Sequence, residues 1–128
     1  MPLEEWNKVA LDTSILLSIP ENGAQVFEGI TEKLGKTEFF VTESVLRELE
    51  ILKQKKGKKQ EIAIVEKALK ANKVKKIGNN YANADDCLEE KARNGFIVAT
   101  SDRELKKRIK GFGGRIIYLK KGKLIETE

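Results

Sequence analysis

Short apolar runs alternate with longer amphipathic stretches along nearly the whole chain. The apolar runs predict strands at 8–11, 38–41, 74–77, 96–99 and 115–119. Apolar residues at three- and four-residue spacing predict helices at 13–34, with an interruption near Pro20, and at 42–54, 60–71, 84–94 and 102–110. Because strands alternate with helices, we expect an α/β protein, a three-layer α/β/α sandwich with a central parallel sheet. The 128 residues suit one domain, with a core over about 8–119 and a polar C-terminal tail over 120–128.

Two aspartates lie at the ends of predicted strands. Asp12 directly follows the first strand, and Asp102 closely follows the fourth. Ligands bind beyond the carboxyl ends of parallel strands, so we expect both carboxylates at one edge of the sheet. The simpler alternative for Asp12 is an N-cap of the next helix. For Asp102 it is a first-turn acid in a capping box formed by Ser101 and Glu104, a role that is compatible with an inward-facing carboxylate.

A third acid falls on the apolar face of a predicted helix. Glu48 lies three residues after Val45 and four before Leu52, so the periodicity points it towards the core. A carboxylate placed there is costly unless something pairs with it. The position therefore indicates either a bound cation or a salt bridge at the edge of the apolar stripe.

The adjacent aspartates Asp85 and Asp86 are predicted to face opposite ways. Asp85 shares a helix face with Leu88 and Ala92, whereas Asp86 shares the polar face with Glu89. Asp85 is therefore the candidate ligand, and Asp86 would reach a metal only through water. The alternative is that both acids simply favour the positive end of the helix dipole.

These four carboxylates would repel each other at one edge of a sheet unless a divalent cation lay between them. We therefore expect a divalent cation, as one ion or two, held by a set that is also catalytic: Asp12, Glu48, Asp85 and Asp102. Neighbouring groups are expected to orient these ligands or bound water: Thr13, Ser14, Asp86 and Ser101. The chain has no histidine and a single cysteine, Cys87, so water is the expected nucleophile.

Charge narrows the class of substrate. The net charge is +5, and basic residues near the predicted site are candidates for contacts with the phosphates of a polyanion: Lys53, Lys55, Lys56, Lys106, Lys107 and Arg108. Their alternative is an ordinary solvated surface. Aromatic residues for base stacking are few, so sequence specificity should be weak. No apolar run is long enough to span a membrane, and no signal-peptide core is visible, so we expect a cytoplasmic protein with no membrane partner.

Four segments, taken in order, resemble the motifs of the PIN-domain nucleases. They are Leu-Asp-Thr-Ser at 11–14, Arg-Glu-Leu-Glu at 47–50, Ala-Asp-Asp-Cys-Leu at 84–88 and Ile-Val-Ala-Thr-Ser-Asp-Arg-Glu-Leu-Lys at 97–106. The resemblance spans about residues 8–119. Over 81–119 it is greatest to the branch that processes small-subunit ribosomal RNA in archaea and eukaryotes. The family pattern Asp-x-x-(Ile/Leu) matches Asp85 with Leu88, which independently favours Asp85 over Asp86.

The resemblance implies a PIN-like α/β/α fold and Mg²⁺- or Mn²⁺-dependent endonucleolytic hydrolysis of single-stranded RNA, in ribosomal RNA processing. RNA is therefore the expected partner. A second copy of the chain, or proteins of a ribosomal precursor, are the candidate protein partners. Two other hypotheses are retained: a toxin ribonuclease of a toxin–antitoxin pair, and a non-catalytic RNA-binding factor in ribosome assembly. A neighbouring antitoxin gene would identify the first, and a nuclease assay separates the second.

Overall fold

The centre of the protein is a six-stranded sheet. In the computed structural model, which describes residues 6–23, 25–78, 83–120 and 123–127, its strands are β1 (Asn7–Leu11), β2 (Thr37–Thr42), β3 (Lys75–Ile77), β4 (Ile97–Ala99), β5 (Ile116–Lys120) and β6 (Lys123–Thr127). Their order across the sheet is β3-β2-β1-β4-β5-β6. The first five strands pair in parallel, and β6 pairs antiparallel with β5. The predicted parallel sheet is confirmed, with an antiparallel strand added at its edge.

The middle strand, β1, is the most deeply covered part of the sheet. Val9, Ala10 and Leu11 are fully buried, because helices cover both faces of a parallel sheet. Val9 lies opposite Phe39 of β2 on one side and opposite Ile97 of β4 on the other. This central position places the end of β1 between the ends of its two neighbours.

Helices connect the strands and flank the sheet. They are α1 (Thr13–Leu16), α2 (Ile19–Asn22), α3 (Gln25–Leu34), α4 (Glu43–Lys53), α5 (Lys59–Ala71), α6 (Ala84–Arg93) and α7 (Arg103–Lys110). The helix predicted over 13–34 is broken into three, because Pro20 lies in the first turn of α2 and Gly23, with a φ of 63°, ends it. Among the described residues, no helix is both long enough and apolar enough to cross a membrane.

The C-terminal segment differs from its prediction. Instead of a polar tail, Lys123–Thr127 forms β6 and closes a hairpin in which Lys120 lies opposite Lys123. The strand was not predicted because most residues of this segment are charged or polar. Its Leu124 nevertheless packs against the core, over Gly29 of α3. A Cβ at position 29 would overlap Leu124 Cδ1, so a larger residue there would require the Leu124 side chain to shift.

One apolar core holds these elements together. Fully buried side chains come from both the sheet and the helices, among them Ile15, Leu88, Leu105 and Ile116. Burying a side chain of this size stabilises a fold by about 1.5–3 kcal/mol. Since Ile15, Leu88 and Leu105 anchor α1, α6 and α7, each within three residues of an acid singled out above, they hold the backbone that carries those acids.

Candidate active site

The carboxyl ends of β1 and β4 face a cavity of about 390 Å³. Four acids line it: Asp12 after β1, Glu48 on α4, Asp85 on α6 and Asp102 just before α7. They come from distant parts of the sequence, because parallel strands deliver their carboxyl ends to the same edge of a sheet. The structure thus brings together all four side chains that the sequence singles out. A larger cavity, of about 530 Å³, lies between α3 and β6, away from these acids.

Asp12 is a buried carboxylate with two hydroxyl donors. Its side chain is 4% exposed, and its Oδ2 accepts hydrogen bonds from Ser14 Oγ, at 2.8 Å, and Thr100 Oγ1, at 2.6 Å. Asp12 occupies the N-cap position of α1, but its side chain makes no capping hydrogen bond. The N-cap alternative therefore does not account for this carboxylate, whose orientation comes from the two hydroxyls instead.

Thr100 is the residue that the sequence analysis missed. It is completely buried directly after β4, and its hydroxyl links two acids: it donates to Asp12 and accepts from the Asp102 N–H, at 3.0 Å. Because a buried hydroxyl group needs a hydrogen-bond partner, a threonine directly after a buried strand was the sequence signal that could have identified Thr100. Ser14 makes a parallel link, because its Oγ accepts from Ser101 N–H at 2.9 Å. Ser101 was predicted to help orient the ligands. In the structure the residue is exposed, and its contact with Ser14 is made by its backbone N–H.

Asp102 itself is the N-cap of α7. Its Oδ1 accepts a hydrogen bond from Leu105 N–H at 3.0 Å, while the backbone at Asp102 is still extended. The predicted capping box of Ser101 and Glu104 is therefore wrong, because the helix begins one residue later than that box requires. The half-buried Asp102 carboxylate also lines the cavity, so one side chain caps the helix and faces the other acids.

Glu48 is exposed, contrary to the prediction that it faces the core. Val45 and Leu49 are buried as predicted, but Glu48 lies beyond the edge of their apolar stripe, where α4 borders the cavity. Its Oε1 accepts a hydrogen bond of 2.5 Å from Thr13 Oγ1. Thr13 therefore orients Glu48, and within the described chain Glu48 has no ion pair that would support the salt-bridge alternative.

Asp85 and Asp86 face different surroundings. Asp85 is half-buried and lines the cavity, whereas Asp86 binds Arg108, with 2.7 Å between Oδ1 and Nη2, and also hydrogen-bonds Asn83. The hydrogen bonds from Arg108 and then Asn83 lower the pKa of Asp86. Its charge is thus satisfied by these partners, and Asp86 does not line the cavity.

Asp85 experiences the electrostatic cost of the cluster. Burial raises its pKa first, and the carboxylates of Asp12 and Asp102 raise it further, with Glu48 as the weakest contributor. Arg108 acts in the opposite direction and lowers it. In this environment, a positive charge that enters the cavity would stabilise the ionised form of Asp85.

The donor chemistry of the cavity fits a hard divalent cation, because its charged donors are carboxylate oxygens oriented by hydroxyls. Within the described parts of the chain, no three acidic side chains are grouped closely enough to hold a metal ion unaided. Mg²⁺ commonly binds through one or two carboxylates and keeps several waters. The cavity therefore fits an ion bound partly through water better than an ion enclosed by protein.

The predicted RNA-binding residues divide into two groups. Some are engaged within the protein: Lys53 pairs with Glu66 at 3.0 Å, and Lys106 Nζ lies 4.1 Å from the centroid of the Tyr118 ring. By contrast, Lys55, Lys56 and Lys107 are exposed. These three lysines present exposed charge at the surface, whereas Arg108 belongs to neither group, because it pairs with Asp86 and Glu89 and also lines the cavity.

The sequence profile of the PIN-like domain family matches residues 9–122, a stretch that contains all the acids of the cavity. The chain belongs to the PIN-like domain family. Ribonuclease VapC9 of Archaeoglobus fulgidus is 34% identical to this PIN-like chain over an alignment of 126 residues that covers 95% of the chain and 92% of that protein. The resemblance to PIN-domain nucleases drawn from the sequence is thereby confirmed.

Solved structures support the same fold. The structure of the PIN domain endonuclease Utp24 superposes with a TM-score of 0.75 at 24% identity, covering 91% of this chain and 88% of that one. A domain of a functionally unknown protein from Methanocaldococcus jannaschii superposes with a TM-score of 0.63 at 18% identity, covering 89% and 91%. At these identities the likeness establishes the PIN-like fold and no finer property.

Proposed function

We propose that this PIN-like chain is a Mg²⁺- or Mn²⁺-dependent endoribonuclease that hydrolyses single-stranded RNA in the cytoplasm. The observation that supports it most is the cavity at the carboxyl ends of β1 and β4, where like charges are held together. A fold gains nothing from such repulsion by itself. The repulsion becomes useful when the cavity receives a cation and, with it, a phosphodiester.

Each acid has a proposed role. Asp12, fixed by Ser14 and Thr100, and Asp102, fixed by the start of α7, are the direct ligands because their orientations are the best determined. Glu48 and Asp85 complete the set, partly through bound water. A divalent ion would supply Lewis-acid activation of water and charge for the scissile phosphate. The carboxylates would orient the attacking water and accept its proton, since the chain has no histidine to do so.

The proposed RNA target is a ribosomal precursor, on the strength of the sequence resemblance over 81–119 to that branch. A second candidate is a toxin ribonuclease held inactive by a partner protein. It is supported by the 34% identity to Ribonuclease VapC9, a match that covers 92% of that protein. Expression in growing cells separates these targets: a toxin arrests growth and degrades bulk RNA, whereas a processing enzyme cuts ribosomal precursor at a defined position.

Cleavage of labelled single-stranded RNA, with Mn²⁺ and with chelator, tests the activity. The wild-type protein should cut only with metal, and Asp12→Asn should not cut. Glu104→Gln is a matched control, because Glu104 is an exposed acid outside the cavity. Metal-independent cleavage, or full cleavage by Asp12→Asn, would contradict the proposal. RNA binding without any cleavage would favour the non-catalytic assembly factor instead.

A further inference from the structure

The acidic cavity has one cation among its described lining residues, Arg108 of α7. The sequence groups it with Lys106 and Lys107, but neither of those lysines lines the cavity. Arg108 therefore lies next to the acids of the cavity without pairing with any of them. An ordinary surface cation would not be placed there.

Two acids of α6 that do not line the cavity, Asp86 and Glu89, bind Arg108. Its Nη2 binds Asp86 Oδ1 at 2.7 Å, while Nε and Nη2 bind Glu89 Oε1 and Oε2 at 3.3 Å each. Asp86 is itself held by Asn83, whose amide donates to Oδ2 at 3.0 Å. Contacts along one edge of a planar guanidinium fix its orientation, so little side-chain entropy remains to be lost when a ligand binds.

The other edge of the guanidinium is uncommitted. Throughout the described chain, Arg108 Nη1 makes no hydrogen bond, although the side chain is 36% exposed and lines the cavity. Planar N–H donors of arginine match the oxygens of a phosphate. Asp12, Asp85 and Asp102 repel a polyanion, whereas Arg108 is the described lining side chain that can attract one.

We propose that Arg108 binds a phosphate of the RNA strand within the cavity, and that Asp86 and Glu89 are positioning residues that aim it there. This inference rests on the proposed ribonuclease function and adds a specific contact to it. Arg108 differs in this from the surface lysines, whose contacts with RNA would be diffuse and interchangeable. A fixed contact selects one phosphate and thereby sets the register of the strand relative to the acids.

The competing explanation is that Arg108 only braces α6 against α7. Removal of a brace would lower stability and weaken RNA binding without regard to which phosphate is charged. Removal of a phosphate contact would change the response to one backbone position and leave the others as they were. Neutral phosphates placed one at a time along the ligand therefore distinguish a contact from a brace.

The experiment uses a short 2′-O-methyl oligonucleotide and a set of derivatives with a single methylphosphonate at each successive linkage. Affinities are measured by fluorescence anisotropy with Mg²⁺ present. The wild-type protein should lose about ten-fold in affinity at one linkage, the effect of one charge-assisted hydrogen bond of about 1.4 kcal/mol. Arg108→Met should bind the all-phosphate ligand about ten-fold more weakly and be insensitive to that same linkage.

Three further variants sharpen the result. Lys110→Met removes one exposed charge from the same helix and should keep the wild-type pattern. Arg108→Lys retains the charge without the fork and should recover part of the affinity, and it also serves if Arg108→Met folds poorly. Glu89→Gln leaves Arg108 in place but loosens it, and should reduce the sensitivity at the selected linkage.

The outcomes separate this inference from the proposed function. Loss of sensitivity at the same linkage in Arg108→Met, but not in Lys110→Met, supports a phosphate contact. If the wild-type protein binds and cuts RNA while Arg108→Met keeps the full wild-type pattern, Arg108 is only a brace and this inference alone is overturned. If the wild-type protein neither binds nor cuts RNA, the proposed function is overturned, and the phosphate contact with it.

Discussion

At the amino ends of the parallel strands, opposite charges and aromatic rings compensate each other, whereas at the carboxyl ends acids face acids. Lys75 pairs with Glu38 at 2.6 Å, and Lys8 Nζ lies 5.8 Å from the centroid of the Phe96 ring. At the other end, burial and neighbouring carboxylates raise the pKa of Asp85. The charges at the amino end are compensated by contacts within the protein. The acids at the carboxyl end repel one another, and a bound cation would relieve that repulsion.

The difference has a physical origin in the topology. Both ends of a parallel sheet gather residues from several strands, but helix N-termini follow the carboxyl ends and supply N–H donors there. Asp102 uses such a donor at α7, and Asp12 uses the hydroxyls of Ser14 and Thr100 instead. These partners hold the acids in place without neutralising them. An end of the sheet that orients charge but does not cancel it is suited to binding and catalysis.

The largest expected effect comes from removing a charge at the carboxyl end, with removal of a charge at the amino end as its control. Asp102→Asn should lower metal-dependent cleavage of RNA by about 100-fold or more while the protein stays folded, because asparagine caps a helix about as well as aspartate. Glu38→Gln at the amino end should leave cleavage unchanged, since an exposed ion pair contributes only about 0–1 kcal/mol to stability. Steady-state rates with Mn²⁺ measure both. Equal losses in the two variants would erase the proposed distinction between the ends.

Binding of a cation should stabilise only the carboxyl-end cluster. Mn²⁺ at about 100 times its Kd should raise the free energy of unfolding by roughly 2.7 kcal/mol in the wild-type protein. Asp12→Asn should lose most of that increase, and its metal-free form should be no less stable than the wild type, because one repelling charge has gone. Thermal melts with chelator and with Mn²⁺ measure both effects. A full Mn²⁺ shift in Asp12→Asn would remove Asp12 from the set of ligands.

A smaller contrast is expected between adjacent residues of α6. Asp85→Asn should reduce cleavage by about 100-fold, whereas Asp86→Asn should reduce it by about ten-fold, because Asp86 acts only through Arg108. Both changes remove one charge from the first turn of the same helix, so a dipole effect would be equal. Cleavage rates of the two variants side by side provide the measurement. Equal or reversed losses would refute the assignment of the two faces.

Much of this arrangement could be read from the sequence because its signals are local. Buried strands and helix periodicity located most elements, and the opposite faces of α6 correctly separated Asp85 from Asp86. The capping box and the inward direction of Glu48 were wrong for related reasons. The exact start of α7, and the point where the apolar stripe of α4 meets the cavity, depend on tertiary packing and not on residue spacing.

Other features were invisible because their partners are distant in sequence. Thr100 binds Asp12 across 88 residues, and Arg108 binds Asp86 across 22. Neither spacing marks a motif, since folding alone creates the contact. The edge strand β6 was missed because its two apolar residues, Leu124 and Ile125, are adjacent and stand among charged and polar residues, which suit an exposed edge.

The smallest expected effect is on the pH dependence of metal-free stability. Burial, followed by the carboxylates of Asp12 and Asp102, raises the pKa of Asp85 in the folded protein. The folded state then holds this proton more tightly than the unfolded chain, whose aspartates have a pKa of about 3.9. The resulting stabilisation is complete below that value and is lost as the pH rises through the folded pKa.

Asp85→Asn removes this dependence, because asparagine does not titrate. In chelator, the free energy of unfolding of the variant relative to wild type should therefore increase from about pH 4 upwards and level off above the folded pKa of Asp85. Urea denaturation at a series of pH values measures the difference, with Glu38→Gln at the amino end of the sheet as the control. A wild-type protein that gains stability over Asp85→Asn as the pH rises would mean that the fold favours ionised Asp85. The carboxyl-end acids would then be compensated as fully as the charges at the amino end.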